Sequence, residues 1–319
     1  MTRPKRSTKP APAARRRPRA AARPVAILSR DIVRSRTLGK GRTWVVAAEV
    51  HVKAGVTLTV ADGATILVAN GVVPGSRIRR AALVFDPGSR LRARRLAVKA
   101  CGPGHRPEKV SDNGGVWFLG TYQAGASDGI AVRKVPGALP SSFRARSIRT
   151  ECLGRGDPRR SAATGRRQGT GDDIDGFKLI GVGPDEWEVG EVRSHRAADD
   201  GFCVTNSRIA MDRLVVVRPA EDGMNVSSSR VEIRKALVIR METAAGRDRD
   251  LFDLETDDGA SYVELLRGCR VEVSGGFGDQ LQLVSRDMPK PVTRDDNEAR
   301  YRWNGRLRRD ALVFSVSED

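Results

Sequence analysis

The sequence predicts an all-β chain wound as a parallel β-helix, and three observations carry that prediction. "ADDGFCVTNSRIAMDRLVV" (198–216) is followed by "AEDGMNVSSSRVEIRKALV" (220–238), a near-repeat at a spacing of 22 residues. Self-similarity at that period, carried by short strands, is the mark of a solenoid in which each repeat packs on its neighbours. Apolar residues alternate at Val50, Val52, Val56, Leu58 and Val60, and again at Ile209 with Met211, Val231 with Ile233, and Val271 with Val273. That is the period of a strand with one buried face, and no long helical stripe separates the runs. With 33 Gly, 16 Pro and only 5% aromatic residues, the composition suits a chain that turns often and packs small aliphatics.

Taken from the N-terminus, residues 1–24 ("MTRPKRSTKPAPAARRRPRAAARP") hold nine Lys/Arg and no acid. Such a segment cannot bury apolar surface and reads as a disordered arm, with Arg15, Arg16, Arg17 and Arg19 suited to nucleic acid or another polyanion. The apolar "VAIL" at 25–28 is too short for a secretory signal, which favours a cytoplasmic location, and no run is long enough for a transmembrane segment. The formal net charge of +18 lies in this arm and in residues 25–110, leaving 111–319 slightly acidic. Cys101, Cys152, Cys203 and Cys269 are far apart and have no metal-finger spacing, so they read as small buried core residues.

The body of the fold is expected over 25–286. "TLTVADGATI" (57–66) and "ALVFDPGSRL" (82–91) match at an offset of 25, each with a glycine turn between apolar strands. Segments 121–147 and 154–171 lack a strand pattern and read as long loops leaving the stack. Residues 287–319 are expected to cap the last coil through a hairpin turning at Asn304-Gly305.

Aligned without gaps, 195–216 and 217–238 match Arg196 with Arg218, Ala198 with Ala220, Asp200 with Asp222 and Gly201 with Gly223. Val204 with Val226, Ser207 with Ser229, Arg208 with Arg230 and Val216 with Val238 continue the series. The aspartates 175, 200, 222, 250 and 279 then form a column, at steps of 25, 22, 28 and 29 residues. Carboxylates one strand spacing apart, ~4.8 Å, repel by ~3 kcal/mol at an effective dielectric of 20, so the column needs compensation. Arg196, Arg218, Arg208 and Arg230 are the cations that the sequence places near it. Two readings stay open. In one, each Asp-Gly is a turn whose carboxylate caps backbone amides. In the other, the doubled acids Asp172-Asp173, Asp199-Asp200, Glu221-Asp222 and Asp257-Asp258 each leave one carboxylate facing a groove, where Asp199, Asp200, Glu221 and Asp222 could hold Ca²⁺; no cofactor is required. Trp187, among Asp185, Glu186 and Glu188, is expected to be partly exposed and able to stack on a sugar ring, whereas Trp117 and Phe118 read as core.

"DIDGFKLIGVG", "ADDGF", "VHVKAGVTLTVADGATI" and "DNGGVWFLG" resemble coils of the right-handed parallel β-helix proteins of the pectate-lyase-like class, including bacterial surface and lipoprotein domains. The resemblance covers roughly 43–120 and 172–285. It implies a polar groove for an extended polysaccharide, a surface location, and polysaccharide lyase or glycoside hydrolase chemistry if the chain is an enzyme. Asp199, Asp200, Asp222, His195 and Arg218 would then be the catalytic set, with Trp187, Arg196, Arg208 and Arg230 on the substrate. The rival functions are a non-enzymatic scaffold and polyanion binding through the arm.

Overall fold

Short β-branched runs with an apolar residue at every second position can bury only one face, and here two sets of such runs close on a shared core. The computed structural model describes residues 24–76, 79–123, 133–156, 174–241, 251–255, 258–266, 269–274 and 313–315. Among them the chain is all-β, apart from one 3-10 turn at Pro103–His105. Thirteen strands form one sheet and seven a second. The chain alternates between them: Phe177–Ile180 in the second sheet, Trp187–His195 in the first, Cys203–Thr205 in the second, Arg208–Val217 in the first, then Met224–Ser227 and Arg230–Arg240. Each strand pairs in parallel with its counterpart in the next repeat. No helix among the described residues is long and apolar enough to cross a membrane.

The main core takes residues from both sheets. Lys178 pairs with Cys203 and Cys203 with Asn225, so Phe177, Phe202 and Met224 share one column, which Phe252 extends. Phe177 and Phe202 stack at 5.2 Å between centroids, and Phe85 stacks on Phe118 at 5.0 Å. Trp187 belongs to this core. It meets Phe118, Phe143 and Phe177 edge-on and is 4% exposed, so the expected sugar platform is corrected to a packing residue. Of its acidic neighbours, Glu188 is exposed on the other face of the strand, whereas Glu186 is itself buried and accepts the N–H groups of Ser141 and Gly183. The second sheet is covered on its outer face as well: Ala82, Val84, Trp117, Leu119, Ile174 and Ile180 form a separate buried cluster there. All four cysteines are buried and unbridged.

The corners between sheets repeat as closely as the strands. Cys152, Arg196 and Arg218 follow successive strands of the first sheet, and all have left-handed φ, 57°, 54° and 56°. Each costs about 1 kcal/mol for an L-residue. Each also turns its N–H onto a carbonyl of the next repeat: Cys152 onto His195, Arg196 onto Val217 and Arg218 onto Arg240, at 2.9, 2.8 and 2.7 Å. Gly181, Asn206 and Ser228 play the same part at the ends of second-sheet strands. Beyond them runs a column of buried serines, in which the Ser207 hydroxyl accepts from Val182 N–H and the Ser229 hydroxyl from Ser207 N–H, at 3.0 and 2.9 Å.

Several sequence expectations shift. The repeat at spacing 22 holds from Arg208↔Arg230 to Met211↔Ile233, after which the register slips by one, so that Val216 pairs with Ile239 rather than Val238. The slip keeps Val216 and Ile239 both in the core. The match of 57–66 to 82–91 is not a stacking relation. Thr57–Val60 lies in the first sheet against Arg90–Cys101, and Ala82–Phe85 lies in the second against Glu49–Val52. The loop expected over 121–147 contains a strand, Ser142–Glu151, joined on both sides in parallel. Its buried positions include Ala145, Ser147 and Thr150, too small or polar to show an apolar period. Val313–Ser315 pairs antiparallel with Tyr262–Leu265, while the rest of the expected cap, including Asn304-Gly305, lies outside the described residues. So do residues 1–23 of the arm, with Arg15, Arg16, Arg17 and Arg19, and 157–173 of the second loop.

The glycines of Asp200-Gly201 and Asp222-Gly223 answer to space rather than to φ. A Cβ on Gly201 would lie 2.2 Å from Val216 Cγ1 and 2.7 Å from the Gly223 carbonyl oxygen, and one on Gly223 would lie 2.7 Å from the Leu251 oxygen. Gly201→Ala is therefore expected to destabilise the fold by about 1–3 kcal/mol. Gly39→Ala, where a Cβ meets nothing within 4 Å, should change stability by less than about 0.5 kcal/mol. Urea unfolding of the two variants compares them.

Candidate functional site

The parallel register brings Asp175, Asp200 and Asp222 to equivalent positions, three residues before Lys178, Cys203 and Asn225. Asp175 ends a two-residue strand, Ile174–Asp175, that runs antiparallel to Gly154–Arg155. Asp199 and Asp200 lie in the corner that follows Trp187–His195. One carboxylate oxygen from each of Asp175, Asp199 and Asp200 lies within 4.8 Å of the others. All three residues are buried, at 8%, 7% and 7% exposure.

Crowding of this kind must be balanced, and the balance differs from the arginine column that the sequence suggests. Among the described residues a cation set against it is Lys178, whose Nζ donates to Asp175 Oδ2 at 2.7 Å and lies 6.0 Å from the Trp117 ring centroid. Burial alone would lower the Lys178 ammonium, but the charge of Asp175 and their hydrogen bond more than offset it, and its pKa is raised. Burial pushes the Asp200 carboxyl well above the usual range, and the charges of Asp199, Asp222, Asp175 and Glu221 add to the push. Asp200 Oδ1 accepts the Asp222 N–H at 3.0 Å, which is the amide-capping role of an Asx turn extended between repeats. Burial likewise raises the Cys203 thiol, with Asp175 as the next cause.

The three oxygens are hard donors of the type that hold Ca²⁺, but Lys178 already stands against Asp175. The expectation that each doubled acid leaves one carboxylate facing an open groove is corrected at Asp199-Asp200, where both are buried. Glu221 and Asp222 are partly exposed. Asp172, Asp173, Asp250, Asp257 and Asp279 lie outside the described residues.

The other candidates separate from this corner. His195 ends its strand level with Glu151 and Val217, and its pKa is lowered, first by burial and then by Arg196, Arg218 and Lys99 against the opposing charge of Glu151. Arg196 and Arg218 are held at the left-handed corner positions. Arg208 and Arg230 lie on the far side of the three-residue strand Cys203–Thr205, level with each other.

Shallow grooves open on the surface of the described residues. One, of about 550 Å³, is lined by Asn206, Ser207 and Arg208, by their counterparts Ser228, Ser229 and Arg230, and by Thr121, Glu186 and Tyr262. Arg230 lies 5.7 Å from the Tyr262 ring and pairs with Glu264 at 2.6 Å. Another, of about 560 Å³, is lined by Arg92, Arg94, Arg144 and Arg146, with Thr59 and Glu188 at its margins. The acid corner lines neither groove.

Sequence reasoning gave Lys178 no role, although its position three residues after Asp175 in "DIDGFK" was visible; a lysine on an alternating strand reads as solvated. It also passed over His51. The His51 ring bonds Asp86 Oδ1 at 2.6 Å through Nδ1 and Glu49 Oε1 at 2.9 Å through Nε2, while Lys53 bridges Asp86 and Asp31. Burial lowers the His51 pKa, but the hydrogen bonds to Asp86 and Glu49 outweigh it and raise the group to about 9.

Removing Lys178 while leaving Asp175 buried should be costly, about 3–5 kcal/mol for Lys178→Met in urea unfolding. Adding Asp175→Asn should restore much of the loss, because the two side chains are coupled. His51, raised above its unfolded value of 6.5, contributes stability that is complete below pH 6.5 and disappears as pH rises through about 9. The melting temperature should fall across that window, and His51→Gln should flatten the fall; differential scanning calorimetry at a series of pH values reads both. No family model, curated protein or solved structure matches this chain.

Proposed function

We propose that the two parallel sheets are faces of a right-handed parallel β-helix resembling the pectate-lyase-like class, and that the protein binds an extended acidic carbohydrate along one corner of it. Two features support the helical reading. From Ala82–Phe85 to Tyr262–Leu265 the chain visits the two sheets alternately and advances by one strand in each. Crossovers between parallel strands are right-handed in nearly all sheets.

The observation that carries the binding reading is the groove in which Asn206, Ser207 and Arg208 recur one strand later as Ser228, Ser229 and Arg230. A surface that repeats every ~4.8 Å suits a ligand that repeats too. Arg208 and Arg230 are exposed at the groove, and a guanidinium presents a planar fork to a carboxylate. Tyr262 supplies a partly exposed ring beside them, as sugar faces favour. The buried acid corner, outside this groove, serves to tie the repeats together rather than to act on a glycosidic bond.

Titration calorimetry with oligogalacturonate and with a neutral glucan of similar length tests the proposal. The acidic oligomer is expected to bind and the neutral one to bind at least about 10-fold more weakly. Arg208→Ala with Arg230→Ala should lose about 1–3 kcal/mol of that affinity, in the range of charged hydrogen bonds. Equal binding of the two glycans, or an undiminished affinity in the double variant, would refute the groove as the site. Absence of binding to any glycan would leave the scaffold reading.

A further inference from the structure

We propose that the arginine band on the outer face of the first sheet binds the phosphate backbone of double-stranded nucleic acid, at a site separate from the carbohydrate groove. The band is formed by two neighbouring strands, Arg90–Cys101 and Ser142–Glu151. Arg92 pairs directly with Arg144, and the flanking pairs Ala93↔Ala145 and Arg95↔Ser147 set Arg94 level with Arg146. The four arginine positions therefore stand in a block, their backbones ~4.8 Å apart across strands and about 7 Å apart along them. Arg90 and Arg149 extend it in both directions.

Like charges at this density work against folding, and most are not offset. Arg144 pairs with Glu188 at 2.8 Å and Arg94 with Asp62 at 3.2 Å. Among the described residues, Arg90, Arg92, Arg146 and Arg149 have no carboxylate within 4 Å, and all four are exposed. Further along the same sheet the pattern changes. The strands Trp187–His195, Arg208–Val217 and Arg230–Arg240 alternate the two signs, with Arg193 on Glu191, Lys235 on Asp212 and Arg234 on Glu232. The excess is densest on these two strands, with Asp62 and Glu188 at its sides.

The lining also restricts the ligand. The groove in this band holds Arg92, Arg94, Arg144, Arg146, Thr59 and Glu188 with small aliphatics, and no aromatic ring on which an unpaired base could stack. Recognition must then proceed by charge, and duplex nucleic acid, with one phosphate per ~1.7 Å of axis, offers the densest linear array of oxyanions to a guanidinium strip. Such contacts position a backbone without reading its sequence.

The test uses the full chain, so that the N-terminal arginines are present throughout. Fluorescence anisotropy of a labelled duplex oligonucleotide is followed as a function of salt for the wild type and for Arg92→Ser/Arg144→Ser/Arg146→Ser. The triple variant is expected to bind at least about 10-fold more weakly, with the slope of log K against log salt shallower by about 2–3. Unaltered affinity and slope would overturn the proposal, and so would retention of heparin without the duplex. In the unmodified protein, the duplex should shield Arg92, Arg144 and Arg146 from phenylglyoxal; full reactivity in its presence would overturn the proposal whether or not the triple variant folds.

Discussion

Everything in this fold depends on parallel backbone pairing held in register from one repeat to the next. A polar backbone group that leaves its own strand finds its partner in the neighbouring repeat, at the corners as well as in the sheets. The left-handed residues Cys152, Arg196 and Arg218 illustrate the exchange: about 1 kcal/mol of local strain is accepted at each so that an otherwise stranded N–H meets a carbonyl. The close approach this requires is possible because Gly201 and Gly223 carry no side chain where consecutive backbones touch. Register, rather than any single contact, places the acid corner, the serine column and the arginine band.

Much of this was legible in the sequence. The steps of 25, 22 and 28 residues between aspartates equal the offsets of Lys178↔Cys203, Cys203↔Asn225 and Met224↔Phe252. Repetition is readable because identical environments select similar residues: an aspartate to cap, a glycine to admit a neighbour, a serine to accept an amide. What failed was local. The extra residue in Arg230–Arg240 shifts its pairing after Met211, and nothing in the composition of "DRLVV" and "RKALV" marks the bulge. The strand Ser142–Glu151 escaped notice because its core residues Phe143, Ala145 and Ile148 break strict alternation and its buried positions include Ser147 and Thr150, which fill space without announcing hydrophobicity.

The candidate site was half visible. Its acids could be placed in a column, but whether they faced water depended on residues remote in sequence. Ile174 and Asp175 pair with Gly154 and Arg155, and Trp117 reaches the Asp175 carbonyl oxygen at 3.1 Å, so the second sheet is covered just where a groove was expected. The compensating charge came from Lys178 because it projects from the same face as the acids, whereas Arg208 and Arg230 lie across the sheet at another corner. Periodicity assigns a side chain to a face; it does not say what lies over that face. Trp187 failed for the complementary reason, since the acids beside it in sequence do not report its surroundings: Glu188 is exposed, while Glu186 is buried on the amides of Ser141 and Gly183.

The serine column has a consequence for how such a chain changes length over time. Ser207 and Ser229 each receive an amide from the preceding repeat and offer their own to the next, so the acceptor and donor presented at the top of one repeat equal those at the top of its neighbour. Tandem duplication of a whole 22-residue unit would insert a piece whose two faces already fit, whereas gain of one residue within a strand must be absorbed by a bulge, as in Arg230–Arg240, for later side chains to keep their faces. Descent by copying entire units is thus the cheap route to a longer molecule, and the seven identities between the 19 residues of 198–216 and of 220–238 are the kind of trace such an event leaves.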